Sequence, residues 1–196
     1  MTMSMRRLLI ILFALALCAC TPDVDLDEIQ RTSMKLCGNY ELGEIEWFQD
    51  IDINDSGFKS KDLKSRIEEY PGYISQLISA NVKHFEYGDN LLFEVCLPVV
   101  LTKEDKDGLL CSWVTFYEIK CKVRPNKTSS GKVLYTTIES FDPYVPKGVK
   151  GIEFASIKDI DYDECTFKVR CESSLFDYST KEWVIGGLTY QFSKIL

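Results

Sequence analysis

Eight cysteines and one histidine are the residues of this chain best suited to covalent or metal chemistry. Cys18 and Cys20 lie near the amino terminus; Cys37, Cys96, Cys111, Cys121, Cys165 and Cys171 are spread through the remainder. In an oxidising compartment these six thiols, an even number, read as up to three disulfides. Zinc is the competing use, but no pair has the short gap of a metal knuckle, and His84 is the only imidazole. Cys165, Phe167, Val169 and Cys171 alternate with Thr166, Lys168, Arg170 and Glu172, the period of a half-buried strand. On one straight strand Cys165 and Cys171 would lie roughly 20 Å apart, whereas a disulfide spans a Cα separation of at most about 7 Å. Each must then reach a different element, and the same holds for Cys111 and Cys121 if one strand carries both.

Asp52-Ile53-Asn54-Asp55-Ser56-Gly57 is the densest cluster of oxygen-bearing side chains. Its opening resembles the calcium loop of EF-hands and dockerins, with oxygen ligands at alternate positions before a glycine bend. That resemblance implies Asp52, Asn54, Ser56 and, if one residue is skipped after Gly57, Asp62 as ligands. Leu63 occupies the closing position of an uninterrupted loop and cannot coordinate. The favoured reading is therefore an acidic turn ahead of a helix, with no cofactor expected. Ser129-Ser130-Gly131-Lys132 has the Ser-x-x-Lys spacing of penicillin-interacting serine enzymes, but it sits in a polar turn without their companion motifs. Position 126 is Asn and Val133 follows the lysine, so the same stretch is no phosphate loop. His84 lies in a predicted strand with no nucleophile elbow to serve. No carboxylate pair stands out, and an enzyme is not expected. Trp113, Phe116 and Tyr117 on one strand, and Trp183 with Tyr190 on another, are the places where aromatics could form a binding face; core packing is the commoner use.

Arg6 and Arg7 precede an apolar run over residues 8–17, then small residues and a cysteine, then the acidic stretch 21–28. This is the layout of a secretory signal peptide, too short to cross about 30 Å of hydrocarbon. Leu17-Cys18-Ala19-Cys20 resembles the lipobox of bacterial lipoproteins. The resemblance implies cleavage before Cys20, lipidation of its thiol and stable membrane anchoring through several acyl chains. It also divides the chain into a leader over 1–19, a lipidated tether over 20–32 and a single domain over 33–196. Thr21 after the cysteine implies outer-membrane sorting with the domain facing the periplasm; surface display is the alternative in other bacteria.

The formal charge of −7 repels nucleic acid and favours basic partners through long-range steering. Export signal, size and acidity together resemble the periplasmic immunity lipoproteins that guard bacteria against type VI secretion toxins. The resemblance implies a tethered inhibitor that buries a basic toxin site, with 142–151 and 50–62 as contact segments. An envelope assembly or surface lipoprotein binding a membrane component or glycan is the other expectation.

The elements that would position these residues are mostly strands. Residues 34–40 and 44–53 read as strands, 61–70 as a charged helix capped by Ser60, and Pro71 as the start of a second short helix. A hairpin over 82–100 follows, with Pro98 marking an end, bulge or edge. Strands are then expected over 109–123, 133–141, 152–160, 165–172 and 182–196, the last interrupted at Gly186-Gly187. The expected class is α+β: a mainly antiparallel sheet with a short helical insertion, stapled by disulfides.

Overall fold

The computed structural model describes residues 28–85, 90–130, 133–140 and 149–195. The expected leader over 1–19, Cys20, Gly131-Lys132 and most of the 142–151 segment lie outside these residues.

Among the described residues strand takes up 63% and helix only 11%, which replaces the expected α+β class with an essentially all-β one. The strands are β1 (Gly38–Ile51), β2 (Ser60–Asp62), β3 (Ser79–His84), β4 (Leu91–Glu104), β5 (Leu110–Lys127), β6 (Val133–Ser140), β7 (Ile152–Asp161), β8 (Thr166–Asp177) and β9 (Glu182–Lys194). Every pairing is antiparallel, in the spatial order β6-β5-β4-β3-β1-β9-β8-β7, with β2 added on β1. The two ends of that order return to each other, and the sheet curls into a nearly closed barrel.

Alternation explains the curl: each strand turns its apolar set to one side. On β1, Tyr40, Leu42, Ile45, Trp47 and Ile51 are buried while Glu41, Glu44, Glu46 and Phe48 are exposed. A register shift between Leu42 and Glu44 lets both Leu42 and Ile45 point inward. On β8 and β9 the inward residues are Phe167, Val169, Cys171, Leu188, Tyr190 and Phe192. Their rings fill the interior. Phe167 stacks on Phe192 at 5.1 Å and meets Phe93 and Tyr40 edge-on at 5.0 Å each. The Tyr190 hydroxyl crosses the interior to the Pro98 carbonyl at 2.8 Å, and burial pushes its pKa well up.

The helical parts are smaller than the spacing suggested. Residues 60–62 form a strand on β1, and α2 (Lys64–Glu68) is a single turn that buries Ile67. Pro71 leads only to a 3₁₀ turn at Ser75–Leu77. At the other end α1 (Glu28–Leu36) takes in residues assigned above to the tether. It packs against β3, β5 and β6, with Thr32, Ser33 and Leu36 buried. Glu28 pairs with Lys127 at 2.8 Å, and Lys35 pairs with Asp163 at 3.5 Å. The Tyr40 hydroxyl donates to the Leu36 carbonyl at 2.6 Å.

The disulfide staples are a second correction: all six cysteines of the domain are thiols. Strand register supplies the reason for two of them. Cys96 faces Glu118 and Cys111 faces Lys103 across the β4–β5 ladder, so neither meets another sulfur. From Cys96 to the Lys103 level is roughly 23 Å of strand, far beyond a disulfide's reach. Cys121 and Cys171 are buried within the barrel near one another, and desolvation pushes the Cys171 thiol up. Cys165 donates to the Lys35 carbonyl at 3.7 Å. Ring packing and strand pairing hold this fold together.

Candidate functional site: an open seam and a latched loop end

Two concave regions stand out, one along the barrel wall and one at its loop end. The wall region is the seam between β6 and β7. Their directions are antiparallel, yet among the described residues no strand pairing joins them. The Thr137 hydroxyl donates to the Ile157 carbonyl at 3.1 Å and clasps the strands at that level. Below the clasp they splay apart. The register of β7 on β8 shifts between Lys158 and Asp161, and Asp159 adopts a left-handed φ of 47°. A bulge of this kind bends its strand and breaks the ladder. The result is a cavity of about 670 Å3 between residues 133–137 and 157–163. Three aspartates, Asp159, Asp161 and Asp163, line it, with Lys158 the cation among the lining residues. Asp159 pairs with Arg170, and Asp161 caps the turn by accepting from the Asp163 and Glu164 N–H groups at 2.9 and 3.1 Å. The Tyr135 hydroxyl faces Thr32 and Ser33 of α1 without completing a hydrogen bond to either, and burial pushes its pKa up.

The loop end holds the cluster that resembled a calcium loop. Asp52 is buried, and its carboxylate accepts from N–H groups: Ser56 at 3.1 Å, Gly57 at 2.8 Å and Asn54 at 3.4 Å, with the Ser56 hydroxyl at 3.4 Å. Left-handed Asp55 and Gly57, at φ 56° and 76°, turn the chain so that those donors converge. Asn54 donates to Glu69 at 2.7 Å, and Asp62 accepts from the Lys64 N–H at 3.1 Å at the entry to α2. Asp52, Asn54 and Ser56 are thus joined in one turn, while Asp62 serves the entry to α2. Among the described residues no group of three or more His, Cys, Asp or Glu side chains is placed to hold a metal ion.

Asp52 instead belongs to a latch. Its N–H donates to Asp177 at 3.4 Å, and its carbonyl accepts from the Tyr178 N–H at 2.9 Å. Asp177, itself buried, also accepts from the Ser179 N–H at 3.0 Å, the Ser179 hydroxyl at 2.6 Å and Lys59 at 3.3 Å. Burial alone would raise the Asp177 pKa; the bonds from Ser179, Lys59 and the Asp52 N–H outweigh it and hold the carboxyl below its ordinary value. Beside the latch, Tyr178 contacts Ser112 at 3.2 Å and Ser112 contacts Thr102 at 2.8 Å. Tyr70 donates to the Ile53 carbonyl, and a shallower cavity of about 320 Å3 opens between Tyr70, Tyr178, Asn54 and Glu69.

The remaining residues singled out by sequence are dispersed. His84 is exposed at the end of β3. Trp183 and Tyr190 are seven positions apart on one strand and so face opposite sides. Tyr190 is fully buried, whereas Trp183 lies outside under the Lys150 ammonium, 4.0 Å from its ring centre. Phe116 is covered in part by Tyr73 at 6.4 Å. The seam was not anticipated, although Asp159-Ile160-Asp161-Tyr162-Asp163 is visible as an alternating acidic stretch at a strand end. Comparison with protein-family models, with curated proteins and with solved structures finds no match to this chain.

Proposed function

We propose that the protein is a lipid-anchored envelope protein, tethered through Cys20 in the periplasm, that binds and neutralises a basic protein partner, as an immunity protein does a secreted antibacterial toxin. The address rests on Leu17-Cys18-Ala19-Cys20 at the end of a charged-then-apolar leader. The observation that carries binding of a macromolecule is the placement of space in the barrel. Small barrels either enclose a ligand or fill their interior with side chains. Here Phe93, Phe167, Phe192, Tyr190 and Trp47 are buried within, and the larger cavity opens on the outside at an acidic seam. An acidic surface steers a basic partner and favours its capture at low salt.

The test is affinity capture on the full-length lipoprotein from the periplasm of its own host, with and without Cys20→Ala. Recovery of one basic protein at low salt, lost at high salt, is expected. The Cys20→Ala protein should leave the membrane fraction while keeping its thermal midpoint. Continued tight membrane association of that variant would refute the anchor, and a glycan rather than a protein as the bound species would refute the partner.

A further inference from the structure

We infer that the wedge between β6 and β7 is a strand-addition site for an extended basic segment of a partner protein. The inference rests on the proposed function for the existence of that partner. A strand without a neighbour presents its backbone N–H and C=O groups to one side, and in water such an edge is a template for another extended chain. Closure removes edges from a barrel, but this one stops short. The Ile157 carbonyl already points into the seam, because it receives the Thr137 hydroxyl there. Below it the bulge at Asp159 carries β7 away from β6 and leaves the cavity of about 670 Å3 between the two edges. The β6 side, residues 133–137, offers about five residues, roughly 17 Å of strand. The same bulge breaks the register that a long, flat edge would need, so a short segment fits and sheet-to-sheet association does not.

Charge selects the occupant. The lining residues hold three carboxylates against the single ammonium of Lys158. Arg170 and Lys35 reach Asp159 and Asp163 from outside, but both pairs are well exposed, with side-chain accessibilities of 56%/48% and 56%/71%. Exposed pairs of this kind are worth little and exchange readily for an incoming cation. The chain's own segment 23–27 carries Asp23, Asp25 and Asp27, and a second copy would present the same acidic edge; both are like-charged with the wedge. An extended segment with alternating basic and apolar residues would meet the carboxylates with one set and the Tyr135 and Tyr162 rings with the other.

The experiment uses the full-length lipoprotein in detergent micelles and two labelled pentapeptides, Lys-Val-Lys-Val-Lys and Asp-Val-Asp-Val-Asp. Fluorescence anisotropy reads binding, and hydrogen exchange reads its location. The basic peptide is expected to saturate and to protect amides in 133–137 and 157–163. The double variant Asp161→Asn/Asp163→Asn, which keeps the turn acceptors, should bind it about five-fold more weakly with an unchanged thermal midpoint. No saturation by about 1 mM, a range that brackets weak peptide affinities, would overturn the inference. Protection confined to other strands, or equal binding of the acidic peptide, would overturn it as well. If the peptide binds the wedge but no partner is captured, the proposed function fails and the site stands. If a partner is captured and the basic peptide does not compete, the site fails alone.

Discussion

Where the β1–β2 loop meets the β8–β9 turn, Asp52 and Asp177 gather N–H, hydroxyl and ammonium donors from residues 125 positions apart. Along the seam, by contrast, one hydroxyl bridges β6 and β7 among the described residues, and the strands then part. Both regions are rich in aspartate. The difference lies in what the carboxylates face: buried donors at the latch, exposed cations and the N–H groups of an exposed turn at the seam. Buried carboxylates with several donors are strong, structure-fixing acceptors, while exposed ones contribute charge to the surface and little to stability. The same residue type therefore fastens the loop end of the barrel and leaves the wall at the seam open.

That contrast can be broken most forcefully from the interior. Phe167→Ala removes the ring shared by Phe192, Phe93 and Tyr40 and should cost about 3–5 kcal/mol in chemical denaturation. Leu134→Ala, at an exposed seam position, should change the midpoint little. Equal losses would mean that the seam is as tightly packed as the core.

Asp177→Ala comes next, at about 3 kcal/mol, because it strands the Asp52 N–H, Ser179 and the Lys59 ammonium. This contribution is linked to pH. The folded carboxyl titrates below its ordinary value, so its stabilisation is complete above the unfolded pKa of about 4 and is lost as pH falls through the lower folded value. The gap in stability between the native chain and Asp177→Ala should therefore be constant from neutral pH down to about 5 and shrink below about 4. A gap that widened in acid would contradict the latch.

The smallest effect is expected at the clasp. Thr137→Val removes the hydrogen bond to Ile157 and should cost about 1 kcal/mol, with faster amide exchange in β6 and β7 and little change in β1 or β9. Uniform acceleration across the sheet would show that the seam does not open independently.

Much of the sheet was legible because alternation is a local signal. Phe167, Val169 and Cys171 face inward as their spacing indicates, and the 133–141 and 152–160 strands fall within a residue of their observed ends. Other features depended on distant residues. The interruption expected at Gly186-Gly187 does not occur, since β9 runs through it: the Phe48 ring of β1 occupies the space above Gly186, where a Cβ would lie 2.0 Å from it. The pair of glycines makes room for a neighbour's aromatic and leaves the strand intact. Helix α1 joins residues 28–32, expected in the tether, to residues 34–36, expected in a strand, because its buried side includes polar Thr32 and Ser33, whose burial comes from packing against distant strands. The disulfide framework failed for a related reason. Parity fixes which face a cysteine takes, but strand order decides whether another sulfur stands opposite, as Glu118 opposite Cys96 shows. At Asp52 the carboxylate accepts from donors of its own loop, an acidic turn that composition does not distinguish from a ligand set.

The pairing of the first strand with the last has a consequence for biogenesis. Tyr40 lies opposite Lys194, and Trp47 opposite Leu188, so β1 has no complete set of neighbours until β9, residues 182–194, is available. Contacts of such long sequence separation form late and slowly. Until β9 is in place, β8 and β7 have no strand to join them to β1 and the rest of the sheet.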